Sequence, residues 1–229
     1  MRLQILLIGL FALIVSPPNA EASGKLSDWV SEDSSGELQI TCIGDTMDIV
    51  SPDGLSLWYK ERLTGNYEII YHVKVVVENG KYDRLSDLNC FWGANDPQHP
   101  NDFFARSQWR NGDFKNYNTL NLYYVGYGGN ENKTTRFRKY HGAYYGVDDA
   151  KIKPILKEYN DAAHLLKPNH WYEIRIRMEN GITTFFIDNE ELFRQAVEAD
   201  KGDGYFALRL WQNHVLFANF QVNKLDNLR

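Results

Sequence analysis

The chain has 229 residues, 43% of them hydrophobic and 14% aromatic, with 25 Lys and Arg against 30 Asp and Glu. A formal net charge of -5 argues against nucleic acid as a partner, because phosphates demand a clustered basic surface. It does not exclude an acidic ligand held by a few local arginines.

At the N-terminus Arg2 precedes an apolar run from Leu3 to Val15, then Ser16-Pro17-Pro18 and the small-residue site Ala20-Glu21-Ala22, the three-part layout of a secretory signal peptide. The run is too short for a bilayer span and ends at prolines. Residues 1–22 are therefore expected to be removed, leaving residues 23–229 as a secreted or periplasmic protein with no membrane attachment. That remainder has the length of one domain, and no repeat or low-complexity linker divides it.

After that segment the chain reads as strand upon strand. Glu37 to Ile43, Leu55 to Trp58, Tyr67 to Val77, Asp87 to Trp92, Thr119 to Tyr127, Thr135 to Tyr140, Trp171 to Met178, Thr183 to Asp188, Tyr205 to Trp211 and Phe217 to Val222 alternate or are rich in β-branched and aromatic residues. Gly, Asn, Asp or Pro stand between them, as turns require. Trp171 to Asn189 reads as a hairpin around Glu179-Asn180-Gly181, with Ile174, Ile176, Phe185 and Ile187 toward the core. Helix signal is confined to Ala150 to His164, which Pro154 interrupts. The fold class expected is all-β, a two-sheet antiparallel jelly-roll sandwich. Cys42 and Cys90 are the two cysteines; one disulfide or two buried thiols are both compatible with an exported chain, and neither has zinc-ligand spacing.

Side chains on a strand alternate between faces, so Asn89, Asn121, Tyr123, Arg136, Arg138 and Tyr140 separate from Leu88, Cys90, Leu120, Leu122, Tyr124 and Phe137. The first set reads as a ligand-binding face. Amides, phenols and guanidinium groups suit a hydroxyl-rich, acidic ligand, since arginine meets a carboxylate with two charged hydrogen bonds.

The hairpin, with Gly204-Tyr-Phe-Ala-Leu-Arg-Leu-Trp and Phe217-Ala-Asn-Phe-Gln-Val, resembles the concanavalin-A-like jelly roll of laminin-G-like domains, legume lectins and many polysaccharide-degrading enzymes. Gly54-Leu-Ser-Leu-Trp-Tyr-Lys-Glu-Arg-Leu-Thr-Gly-Asn-Tyr-Glu-Ile, Asp87-Leu-Asn-Cys-Phe-Trp, Tyr124-Val-Gly-Tyr-Gly-Gly-Asn and Thr134-Thr-Arg-Phe-Arg look like an uncharacterised family of exported bacterial jelly-roll proteins. That family is similar to the YesU-like proteins associated with pectin use. The resemblance implies polysaccharide breakdown as a setting and supplies neither a reaction nor catalytic residues.

The inventory discriminates among reactions. Jelly-roll glucanases carry two carboxyl groups in a Glu-x-Asp-x-x-Glu pattern, and this chain has none; its acidic residues fall mostly in turns. β-Elimination instead asks for a group that neutralises a uronate carboxylate, a base for the C5 proton and an acid for the leaving oxygen. The catalytic candidates are Tyr140, Arg136, Arg138, His141 and Tyr123, with Tyr140 first. The substrate-binding candidates are Asn89, Trp92, Asn121, Tyr127, Asn130, Arg209, Trp211 and His214. The expectation is a polysaccharide lyase acting on an acidic, uronic-acid-containing poly- or oligosaccharide. A non-catalytic carbohydrate-binding protein and a hydrolase of an unusual glycoside are the alternatives. No catalytic metal or cofactor is called for; a structural calcium ion, common in jelly rolls, would draw on Asp45, Asp48 or Asp203.

Overall fold

The computed structural model describes residues 21–22, 25–198 and 202–226. The signal-peptide reading falls outside these residues, apart from Glu21 and Ala22, which pair with Val222 and Gln221. Among the described residues no helix is long and apolar enough to cross a membrane.

The strands are β1 (Glu21–Ala22), β2 (Trp29–Asp33), β3 (Gln39–Ile43), β4 (Thr46–Tyr59), β5 (Tyr67–Val75), β6 (Leu88–Asn95), β7 (Asn121–Gly128), β8 (Thr134–Tyr140), β9 (Ile155–Tyr159), β10 (Tyr172–Glu179), β11 (Ile182–Ile187), β12 (Glu190–Ala196) and β13 (Tyr205–Lys224). All pairs are antiparallel. They form a two-layer jelly roll in which the long strands β4 and β13 run through both layers. The front layer takes β2, the second half of β4, the first half of β13, then β6, β7, β8 and β9. The back layer takes β3, the first half of β4, the second half of β13, then β5, β10, β11 and β12. A bulge between Trp211 and Asn213 marks the crossing, with Gln212 at φ 48, the extra residue that bends a strand.

The two expected strands Tyr205 to Trp211 and Phe217 to Val222 are therefore one. The expected helix Ala150 to His164 is instead a single turn at Asp149–Ile152, strand β9 and a 3-10 turn at Ala162–His164. Pro154 precludes a helix across this span, and exposed β9 pairs at the sheet edge with β8.

Between the layers lies an apolar core that includes Leu208, Trp92, Tyr123 and Phe137 from the front and Ile69, Ile176, Phe185 and Phe193 from the back. Trp92 stacks on Phe137 and Phe185 at centroid distances of 5.8 and 5.9 Å. A second core, including Trp58, Phe91, Phe103, Tyr117, Tyr124 and Tyr140, lies on the outer side of the front layer. It is covered by residues 103–119, which form two 3-10 turns and one turn of helix. That segment is fastened from within. Arg110 donates to Glu32 of β2 at 2.7 and 2.9 Å, and the Tyr117 hydroxyl donates to the same carboxylate at 2.7 Å. Cys42 is exposed and Cys90 buried, both as free thiols; burial pushes the Cys90 thiol up to about 12.

Candidate functional site

Antiparallel pairing sets opposite residues on one face, and in the front layer it builds a polar row across seven strands. Glu32 of β2 faces Ser56 of β4, which faces Arg209 of β13; Arg209 faces Asn89 of β6, Asn89 faces Gly126 of β7, Gly126 faces Arg136 of β8, and Arg136 faces Glu158 of β9. Where the row leaves the cover of residues 103–119 it becomes the floor of a cleft. One compartment, of about 430 Å³, is lined by Asn89, Arg209, Trp211, Asp53, Asp113 and Gly112 among others. A second, of about 200 Å³, is lined by Arg136, Arg138, Lys153, Asn130 and Thr134 among others. Asp87, Phe114 and Tyr124 line both and so join them.

Arg209 is the centre of the first compartment. It is 3% exposed, its Nη1 donates to the Gly112 carbonyl at 2.7 Å, and among the described residues no carboxylate is paired with it. Its guanidinium carbon lies 5.2 Å from the Phe114 ring centroid and 5.5 Å from that of Tyr117. Gly112 can offer this carbonyl because it sits at φ +71 with backbone of Gly54 and Glu32 where a side chain would be. Only glycine takes both conditions cheaply. A buried cation with a neutral acceptor for company retains much of its capacity for an anion.

Beside it, Asn89 is 4% exposed, and its Oδ1 is enclosed with no hydrogen-bond partner. Asn89 lines the same compartment as Arg209, its opposite residue on the neighbouring strand. Trp211 forms the rim. Its indole N–H donates to Asp53 Oδ1 at 2.9 Å, and Arg84 lies 4.6 Å from its ring centroid, so a substantially exposed aromatic face is held still.

Tyr124 stands between the compartments. Its hydroxyl leans over Gly126, where a Cβ would come within 2.6 Å of it, so residue 126 must lack a side chain for the phenol to lie there. Burial raises the Tyr124 pKa well above the usual tyrosine range, and neighbouring Tyr140 and Asp87 raise it further, against the pull of Arg209 and Arg138. The phenol therefore keeps its proton at neutral pH. Asp87 sits at φ 59, a left-handed conformation that Asp tolerates through local hydrogen bonds. Its Oδ2 accepts from Arg84 at 2.6 Å and from the Ser86 hydroxyl at 2.8 Å, and among the described residues none donates to its Oδ1 at the junction.

The structure brings Asn89, Asn130, Arg136, Arg138, Arg209 and Trp211 to this cleft and places the other candidates elsewhere. Tyr123 and Trp92 point into the inter-layer core, where they stack 5.7 Å apart, because Trp92 pairs with Tyr123 on the face opposite to Asn89. Tyr127 is likewise core, its hydroxyl donating to the Leu165 carbonyl at 3.4 Å. Tyr140 shares the face of Arg136 and Arg138 but is sealed in the second core. Its hydroxyl has no hydrogen-bond partner, and burial raises its pKa. Asn121 is a tie rather than a ligand-binding group: it donates to Asn95 Oδ1 and accepts from the Gly142 N–H, both at 3.1 Å. His141 lies past the end of β8, its N–H on the Ile152 carbonyl. His214 lies beyond the bulge, between Asp48 at 2.7 Å and Asp83 at 3.1 Å. Of the calcium candidates, Asp48 is thus engaged and Asp203 accepts from the Gly65 N–H. Among the described residues no group of three or more His, Cys, Asp or Glu is placed to hold a metal ion.

Among the cleft residues that sequence reasoning misses are Tyr124, which alternation assigns to the core, and Lys153, which falls in the interrupted helix; Asp87, read as the start of a strand, is not among the candidates either. The signal for Tyr124 was its spacing from Gly126, two residues on along one strand face.

No curated protein matches the chain in sequence. Among solved structures it is similar to a Bacillus subtilis protein of unknown function with a galectin-like fold, at 14% identity and a TM-score of 0.67, over 88% of this chain and 91% of that one. It is also similar to a carbohydrate-binding module, CBM66, from Bacillus subtilis, at 11% identity and TM-score 0.55, over 86% and 96% of the two chains. A third likeness is to a Bacillus licheniformis β-glucanase, at 10% identity and TM-score 0.51, over 86% and 92%. At these identities the likeness is one of fold, and it agrees with the jelly roll described above. The sequence model that does match, over residues 49–220, is described as a domain of unknown function, DUF6250, and the chain belongs to that family.

Proposed function

We propose that this is an exported carbohydrate-active protein that binds an acidic oligo- or polysaccharide in the front-layer cleft and cleaves it by β-elimination. The observation that carries the reading is Arg209, buried at the cleft floor with no carboxylate partner among the described residues and with Asn89 beside it. The similar structures named as a carbohydrate-binding module and a β-glucanase support a sugar as the ligand. In the cleft, Arg209 and Asn89 hold the uronate carboxylate and so stabilise charge that develops there as the C5 proton leaves. Asp87 Oδ1 takes that proton, the electron pair forms the C4–C5 double bond, the C4–O bond breaks, and the Tyr124 hydroxyl protonates the departing oxygen. Asp87 and Tyr124 suit these parts because one offers a carboxyl oxygen as acceptor at the junction and the other is a phenol kept protonated by its surroundings. Trp211 offers an apolar platform for a sugar ring.

The test is incubation with a panel of uronic-acid glycans, followed by the ultraviolet absorbance of the unsaturated product. Arg209→Gln is expected to lower kcat/KM by a factor on the order of 100, as for loss of one preorganised donor. Tight binding of an acidic glycan with no product from any of the panel would instead mark a binding protein; new reducing ends without the chromophore would mark a hydrolase. A smaller effect is expected at the rim: Trp211→Ala should weaken glycan binding about tenfold, roughly 1.4 kcal/mol, measured by calorimetry. Unchanged affinity would remove Trp211 from the site.

A further inference from the structure

The second compartment holds positive charge that the elimination chemistry does not use. Arg136 is neutralised there by Glu158. Arg138 and Lys153 are not: Arg138 Nη1 donates to the Lys153 carbonyl at 2.6 Å, and among the described residues neither side chain forms an ion pair. The Lys153 ammonium lies 4.9 Å from the Phe114 ring centroid and 5.8 Å from that of Tyr140. Burial, followed by the like charges of Arg138 and Lys115, lowers the Lys153 pKa below the usual lysine range. Two partly buried cations facing one recess repel each other, and a neutral side chain at either position would serve the fold better. An anion in the recess would relieve that repulsion.

Phe114 relates this charge to the first compartment. Arg209 is 5.2 Å from the same ring centroid that Lys153 approaches to 4.9 Å, so the two charges are no more than about 10 Å apart. Tyr124 and Asp87 line both compartments between them.

The geometry points to a second anion subsite, in which Arg138 and Lys153 hold the acidic group of the sugar adjoining the one held by Arg209. This rests on the proposed function and narrows its substrate class to glycans that carry acidic groups on successive sugars. A glycan with isolated uronates among neutral sugars would leave the second subsite unsatisfied.

Calorimetric titration of the protein with galacturonate, glucuronate and mannuronate, each as the monosaccharide and as its homotrimer, tests this. In at least one series the trimer is expected to bind about tenfold or more tightly than its monosaccharide. Lys153→Gln should remove most of that gain and leave monosaccharide affinity within about twofold, whereas Lys153→Arg, which keeps the charge, should restore it. Arg209→Gln should weaken monosaccharide and trimer alike. A trimer that gains nothing over its monosaccharide, or a gain that survives Lys153→Gln, overturns the second subsite and leaves the first standing. Loss of monosaccharide binding on Lys153→Gln overturns it too, by moving Lys153 into the first subsite. Failure of the parent protein to bind any of the six sugars overturns both.

Discussion

Tyr124→Phe is expected to lower the rate of elimination by a factor on the order of 1000, within the range for loss of a general acid, while leaving glycan affinity within about tenfold. The substitution deletes one oxygen and keeps the ring packed between Phe91 and Phe114, so the melting temperature should hardly move. Gly126→Ala approaches the same oxygen from outside. A Cβ at residue 126 would stand 2.6 Å from the hydroxyl, closer than contact allows, so the phenol must turn away and turnover must fall even though no polar group has been removed. Tyr140→Phe is the control. Its hydroxyl is buried without a hydrogen-bond partner, so turnover should be unchanged, with stability unchanged or raised. The pH profile gives an independent reading. Burial lifts the Tyr124 pKa above the usual tyrosine range, so the donor stays protonated through neutral pH, and any alkaline loss of rate from its ionisation must begin above that range. Full activity in Tyr124→Phe, together with loss in Tyr140→Phe, would remove Tyr124 from the mechanism and put Tyr140 in its place.

The period-two rule places Asn89 and the arginines of the cleft floor from sequence but does not find Tyr124. Asn89, Arg136, Arg138 and Arg209 stand among apolar neighbours on strands, and alternation assigns them one face whatever the details of pairing. On β7 the rule has no purchase, because all eight residues are buried. Tyrosines stand on both of its faces, so hydrophobicity cannot say which is which. The pairing decides it: Tyr124 lies opposite Arg138 and Tyr123 opposite Lys139. Trp92, a substrate-binding candidate from sequence, has the parity of Leu88 and Cys90 and lies with them in the core. Tyr140 has the right parity and the wrong depth. What seals it is the cover of residues 103–119, whose docking depends on contacts far apart in sequence that no local pattern reveals. Lys153 was hidden for a related reason, since the strand that follows it is an exposed edge with little alternation.

That cover is also where the largest loss of stability is expected. Glu32 and Arg110 are separated by 78 residues and are 3% and 0% exposed, and Arg110 donates hydrogen bonds to Glu32 at 2.7 and 2.9 Å. The Tyr117 hydroxyl completes the carboxylate's shell. Glu32→Ala would leave a guanidinium buried with no countercharge, which costs about 3–5 kcal/mol. For a domain of this size the melting temperature should then fall by on the order of 10 °C. Removing both charges should cost much less, because an apolar pair of similar volume needs no desolvation of ions; Glu32→Leu with Arg110→Met is expected to recover most of the loss. The cleft reports the same event by another route. Arg110 also donates to the Phe103 carbonyl at 3.0 Å, and two residues after it Gly112 supplies the carbonyl that orients Arg209. Glu32→Ala should therefore weaken glycan binding at temperatures well below unfolding, whereas the double substitution should restore stability more fully than binding. Equal recovery of both would show that residues 103–119 dock through their apolar contacts alone, and that the ion pair does not position Arg209.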